Sequence, residues 1–137
     1  MSTLSQYPEK LAIVRFGPGA EIPAWAESAS LFGIIATAKE TAVICATRSV
    51  PNKVVSLKPL TGFLIEGQRD VDDATTLVDL LNPLAEAGIP ARVVTTYSNE
   101  WLLVPQSKAE AAVEEWRRRG HTVAPAVPVT PSRKGTS

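Results

Sequence analysis

The chain has 137 residues, which allows one ordinary domain or two very small ones, and hydrophobic residues make up 45% of it, enough for a core. Fourteen Lys and Arg balance 14 Asp and Glu, so no overall field favours nucleic acid or an anionic membrane surface. One cysteine excludes an internal disulfide, no apolar run approaches the ~20 residues of a membrane helix, and no leader pattern opens the sequence; a soluble cytoplasmic protein is expected.

In chain order, residues 1–9 are polar and are expected to be loose. Residues 11–16 read as a strand that Gly17-Pro18-Gly19 ends. Pro23 to Glu27 suits one short helical turn, with proline at a favoured first position. Residues 31–37 and 41–47, rich in Ile, Val and Thr, predict a hairpin around Ala38-Lys39-Glu40. Another brief turn is expected over residues 49–53, followed by an extended stretch at 54–57.

The second half has clearer periodicity. Residues 62–67 form a strand closed by glycine, followed by the acidic loop Gln68-Arg69-Asp70-Val71-Asp72-Asp73. Leu77, Leu80, Leu81 and Leu84 recur at helical spacing, with the acids placed where a helix N-terminus favours them. Pro83 should kink this helix or remove a bond from it, and Gly88 is a natural C-cap. Residues 92–97 and 101–104 predict a second hairpin. Ser107-Lys108-Ala109-Glu110 has the capping-box pattern and opens a helix with Ala109, Ala112, Val113 and Trp116 on its apolar face. Gly120 stops it, a last strand starts at His121, and residues 125–137 are expected to be disordered. The order β-α-β-β-α-β is that of the split βαβ unit, with two helices on one face of a four-stranded antiparallel sheet. The first half has the same strand rhythm with reduced helices.

Chemistry-bearing residues are few. His121 is the single histidine and reads as a cap or surface residue; Cys45, in an apolar strand, reads as core. One His and one Cys make no transition-metal cluster, and no phosphate-loop, dinucleotide or histidine-based nucleophile pattern is present, so neither metal nor cofactor is expected. Arg117-Arg118-Arg119 closes a helix, where cations offset its dipole. Trp25, Trp101 and Trp116 are spaced for packing, and the aromatic signature of RNA-binding split βαβ sheets is missing.

Several stretches resemble small tandem-ACT proteins, including bacterial aspartate-kinase-like regulators, and are similar to the animal CASTOR arginine sensors. Glu66-Gly67, Asp70, Leu77 and Pro83-Leu84-Ala85-Glu86-Ala87-Gly88-Ile89 carry the likeness, continued by Thr95-Thr96-Tyr97-Ser98-Asn99-Glu100 and Leu102-Leu103-Val104. Lys10-Leu11-Ala12-Ile13-Val14, Ile22-Pro23-Ala24-Trp25 and the hairpin from Leu31-Phe32-Gly33 to Thr47 extend it, so that it covers residues 10–124. The resemblance implies an α+β chain of ferredoxin-like βαββαβ ACT fold in tandem: a reduced N-terminal module over 10–60 and a C-terminal one over 61–124. It implies a non-catalytic sensor, a homodimer with sheets joined edge to edge, and an amino acid at the seam.

By the same resemblance the ligand loop is Asp70, Val71, Asp72, Asp73, Ala74 and Thr75. Thr96, Tyr97 and Glu100 would add to the pocket, and Gly88, Ile89, Pro90 and Ala91 would approach from the facing module. A free amino acid needs amides for its carboxylate, best supplied at a helix N-terminus, and carboxylates or carbonyls for its ammonium. The acidic loop favours a cationic or zwitterionic ligand. Glu100 stands where the sensors have aspartate, Pro90 where relatives often have serine, and Thr75 where they often have glycine. The last two favour the competing reading, an interaction module that pairs with a protein and binds no ligand. A small isomerase or hydrolase is the third reading.

Overall fold

The computed structural model describes residues 1–28, 30–67 and 74–127. Among these, eight strands form one sheet: β1 (Thr3–Gln6), β2 (Leu11–Phe16), β3 (Gly33–Ala36), β4 (Thr41–Ala46), β5 (Ser56–Ile65), β6 (Arg92–Thr95), β7 (Glu100–Pro105) and β8 (Thr122–Ala124). Two helices, α1 (Thr75–Glu86) and α2 (Ala109–Arg118), cross it in the second half. In the first half, single 3-10 turns at Ala24–Ser28 and Thr47–Ser49 stand where the helices would be.

The duplication is visible in the strand order. β3-β4-β2-β5 in the first half has the split βαβ order, and β6-β7-β5 repeats its first three strands in the second, with β8 set one place further out, beyond β1. β5 serves both. Its first residues pair with β2 (Val14 with Ser56, Ile13 with Leu57, Leu11 with Leu60), and its last pair with β7 (Leu60 with Pro105 through Leu64 with Trp101). The register slips between the Leu11 and Ile13 pairs, opposite Pro59, which has no amide proton to give the ladder. The sequence predicts two separate stretches here; they are one strand running through the proline.

The N-terminus departs from expectation. Thr3–Gln6 is not loose; it lies between β5 and β8, antiparallel to the first (Leu4 with Ile65) and parallel to the second (Leu4 with Val123). β8 thus meets the sheet through a strand from the other end of the chain. Burial is the physical reason: Leu4 is fully enclosed in the core that also holds Phe63, Ile65, Leu102, Val104 and Val123. α1 contributes Leu80 and Leu84 to this core, with Leu77 and Leu81 partly covered, and α2 contributes Ala109, Ala112 and Trp116. Trp116 donates its indole N–H to the Leu80 carbonyl at 2.9 Å and meets the Phe63 ring edge-on at 4.9 Å.

A second core under the 3-10 turns holds Ala12, Val14, Ala26, Val43, Cys45 and Val50. Prolines and glycines punctuate residues 17–23, and one turn suffices to bring Ala26 and Trp25 over the strands. On the other face, Leu11, Leu60 and Leu103 form a third cluster with Tyr7, Ile13, Leu31 and Val94 against it.

Other local expectations divide. Pro83 lies inside α1 without ending it, and Gly88 follows the helix at φ +72°. The capping box at Ser107 does not form: Gln106–Lys108 is a 3-10 turn, and Lys108, with no side-chain cap bond, precedes α2. The three arginines each find a partner: Arg117 the Val123 carbonyl at 3.0 Å, Arg118 the Glu115 carboxylate at 2.7 Å, Arg119 the Glu86 carboxylate at 2.6 Å. No helix among the described residues is long and apolar enough to cross a membrane.

Candidate ligand-binding site

β5 and β6 both run antiparallel to β7, so their C-terminal ends lie at one end of the sheet. That end carries the start of α1 and the β6–β7 turn. It therefore brings Ala74 and Thr75 to the same end as Thr96, Tyr97 and Glu100. Asp70, Val71, Asp72 and Asp73 lie outside the described residues. Gly88, Ile89, Pro90 and Ala91 follow the other end of α1. A helix of 12 residues is about 18 Å long, so one chain does not bring the two groups together.

At the first end, the Thr96 hydroxyl accepts the Asn99 amide at 3.0 Å and donates to the Asn99 carbonyl at 3.3 Å, which fixes the turn. Tyr97 points into solvent, 97% exposed. Glu100, only 5% exposed, opens β7 opposite Thr95. Burial of a carboxylate in this position is unusual for a hairpin acid and sets it apart from the ordinary exposed residue its place in a turn suggests.

At the other end, Gly88 takes the left-handed conformation, and Ile89 returns its amide to the Leu84 carbonyl at 2.8 Å while its side chain enters the core. Ile89 can therefore offer a ligand only its backbone. Pro90 and Ala91 border a groove of about 470 Å3 with Leu57, Leu60, Leu103 and Pro105. Arg92 is the cation of that groove, and sequence reasoning passed over it. Its signal was a charged residue opening an otherwise apolar strand.

His121 is buried, not a surface residue. Its Nδ1 accepts the Ser2 amide at 3.0 Å, which ties the N-terminal strand down. Burial, reinforced by the N-terminal amino group, holds the imidazole below its usual range, while Asp79 acts in the opposite direction. Cys45 is buried as expected, and burial pushes its thiol up, away from the reactive thiolate. Among the described residues no three His, Cys, Asp or Glu side chains gather as a metal would need.

Residues 63–114 match the family model described as ACT domain. Over that stretch the chain is similar to an ACT domain. Its matched span runs from β5 into α2, and the first half repeats the strand order of that domain without its helices. No curated protein matches the sequence. Among solved structures, protein Atu0741 from Agobacterium tumefaciens is 23% identical, with a TM-score of 0.86 over 96% of this chain and 98% of that one. Protein VC0802 from Vibrio cholerae is 13% identical, with a TM-score of 0.68 over 85% of this chain and 88% of that one. The regulatory subunit of aspartate kinase from Thermus flavus is 11% identical, with a TM-score of 0.58 over 84% of this chain and 95% of that one. At these identities the likeness is one of fold.

Proposed function

We propose that this chain is a non-catalytic regulatory module that binds a small molecule, with an amino acid as the ligand class, at a seam between two copies of itself. The observation that carries the reading is the separation of the two residue groups along α1. A homodimer joined through β6, which pairs with β7 alone among the described strands, removes that separation. In an antiparallel pair of β6 strands, Arg92 of one copy lies beside Thr95 of the other. Gly88, Pro90 and Ala91 of one chain then approach Thr75 and Thr96 of the second. Joining the edges also covers Val93, an exposed apolar residue on an open strand. The ligand's carboxylate would take the first amides of α1, and its ammonium Asp70, Asp72 or Asp73.

The regulatory subunit of aspartate kinase from Thermus flavus, with the same fold, supports the regulatory part. Division into a reduced module over 10–60 and a complete one over 61–124 is part of the same reading, as is a reducing, cytoplasmic setting for the single buried thiol. The competing reading is a module whose partner is a protein. It is favoured by Pro90, which offers no N–H, and by the apolar surface of Ile34 and Ile35 on the edge strand β3.

A thermal-shift screen against each amino acid at millimolar concentration, with light scattering for the oligomer, tests the proposal. A ligand at a hundredfold its Kd adds about 2.7 kcal/mol per site. One selective ligand whose shift disappears in Asp70→Ala is expected. A stable dimer that no amino acid stabilises would leave the protein-partner reading in its place.

A further inference from the structure

We propose that a cleft on the helix-free face of the sheet is a second binding site, for an uncharged and largely apolar small molecule. Leu31, Ile35 and Ile44 of the first half form one wall, and Val94, Thr96 and Trp101 of the second half form the other. Tyr7, from the connection between β1 and β2, lies between them. The space is about 460 Å3, within the size range of small-ligand sites. Of the described residues that the sequence reading assigns to the ligand, Thr96 alone lines it.

The chemistry of the lining selects the ligand. None of the described residues around the cleft carries a formal charge, so an ionised ligand would leave water with no opposite charge to meet. The polar groups are largely engaged within the protein. The Tyr7 hydroxyl is hydrogen-bonded to the Ser30 hydroxyl, and the Thr96 hydroxyl is held by Asn99. Burial, with Glu9 adding to it, pushes the Tyr7 phenol up, so the ring stays neutral at physiological pH. What remains for a ligand is apolar surface. Tyr7 and Trp101 meet edge-on, 5.5 Å between centroids, and the ladder pairs of Trp101 with Leu64 and Val94 hold that ring pair in place before anything binds. At the rim, Ile35 is 62% exposed, and a ligand would take it out of water.

Titration of the full-length protein with N-phenyl-1-naphthylamine, a neutral apolar fluorophore, tests the site by energy transfer from tryptophan. Trp101 is in the cleft, whereas Trp116 is sealed in the main core and Trp25 packs on Phe16. Saturable binding of one probe per chain is expected, weakened about tenfold or more by Ile35→Glu, which adds a charge at an exposed position. Val78→Glu, a change at another exposed apolar residue, on α1, should leave binding intact. The anionic relative 1-anilinonaphthalene-8-sulfonate should bind about tenfold more weakly than the neutral probe. Non-saturable binding, equal affinity in Ile35→Glu, or equal affinity for the anion would overturn the proposal. So would an altered mass of Ile35→Glu in light scattering, which would make the cleft a contact between chains.

Discussion

Leu4→Ala is the most direct test of how the N-terminal strand contributes. Leu4 is fully buried beside Ile65 and Val123, in the core shared with Trp116 and Phe63, although only one residue of its strand is so placed. Truncation removes three carbons from a site walled on both sides by paired strands, which cannot collapse far. Leu→Ala at such sites costs about 3 kcal/mol. At about 3 °C per kcal/mol for a chain of this length, the midpoint should fall about 10 °C. Thermal unfolding followed by circular dichroism reads this, with Thr3→Ala at an exposed position of the same strand expected within about 2 °C of the parent. A drop under about 3 °C for Leu4→Ala, with unfolding still cooperative, would refute the claim that β1 is an integral strand of the main core.

Two further outcomes follow from local geometry. His121 is held neutral by burial, so its folded pKa lies below the unfolded one, near 6.5; the stability it contributes is complete above about pH 6.5 and is lost as pH falls through the folded pKa. His121→Asn keeps an acceptor for the Ser2 amide without titrating, and denaturant unfolding from pH 8 to 5 should show a shallower decline for it; parallel curves would sink the assignment. Gly88→Ala should lower the midpoint by about 3 °C, near 1 kcal/mol, because φ is +72° and the added methyl meets no atom within 4 Å, leaving backbone conformation as the whole cost; an unchanged midpoint would contradict the left-handed cap.

What could be read from the residues alone was local. The leucine stripe of α1, the Ala-Val-Trp face of α2, both hairpins and the Gly88 stop follow from spacing and turn chemistry, and all stand in the structure. β1 could not be read in the same way. Thr3-Leu4-Ser5-Gln6 holds one apolar residue, and its partners are Ile65 and Val123, contributed from distant parts of the chain. Nothing local marks a pairing of that range. β5 looked like two pieces because proline ordinarily interrupts a strand, yet a slip in register lets the ladder pass it. Ser107 has the right neighbours for a capping box, but a 3-10 turn takes the residues that would make it. For the site, the family resemblance pointed to Thr96 and Glu100, while the distance between Thr75 and Pro90 depends on the length of α1 and the direction of β6. The cleft had no signature at all, since its walls come from segments between Tyr7 and Trp101 that only the curvature of the sheet brings together.

The two halves of the chain are bound more closely than a tandem of separate modules. β5 ends one sheet unit and begins the other, and β1 closes the second unit from a position before the first. The β6–β7 hairpin then acquires a double role. Its turn carries Thr96 and Glu100 to the end where α1 starts, while Val94, Thr96 and Trp101 wall the cleft. Glu100 and Trp101 are consecutive on β7, so the buried carboxylate and the ring that lines the cleft share one strand. A ligand at the loop end and one in the cleft would therefore act on one hairpin. Whatever factor the first imposes on the affinity of the second, the second must impose on the first. That reciprocity requires no long path through the core, only a hairpin with two arrangements that both ligands favour to different degrees.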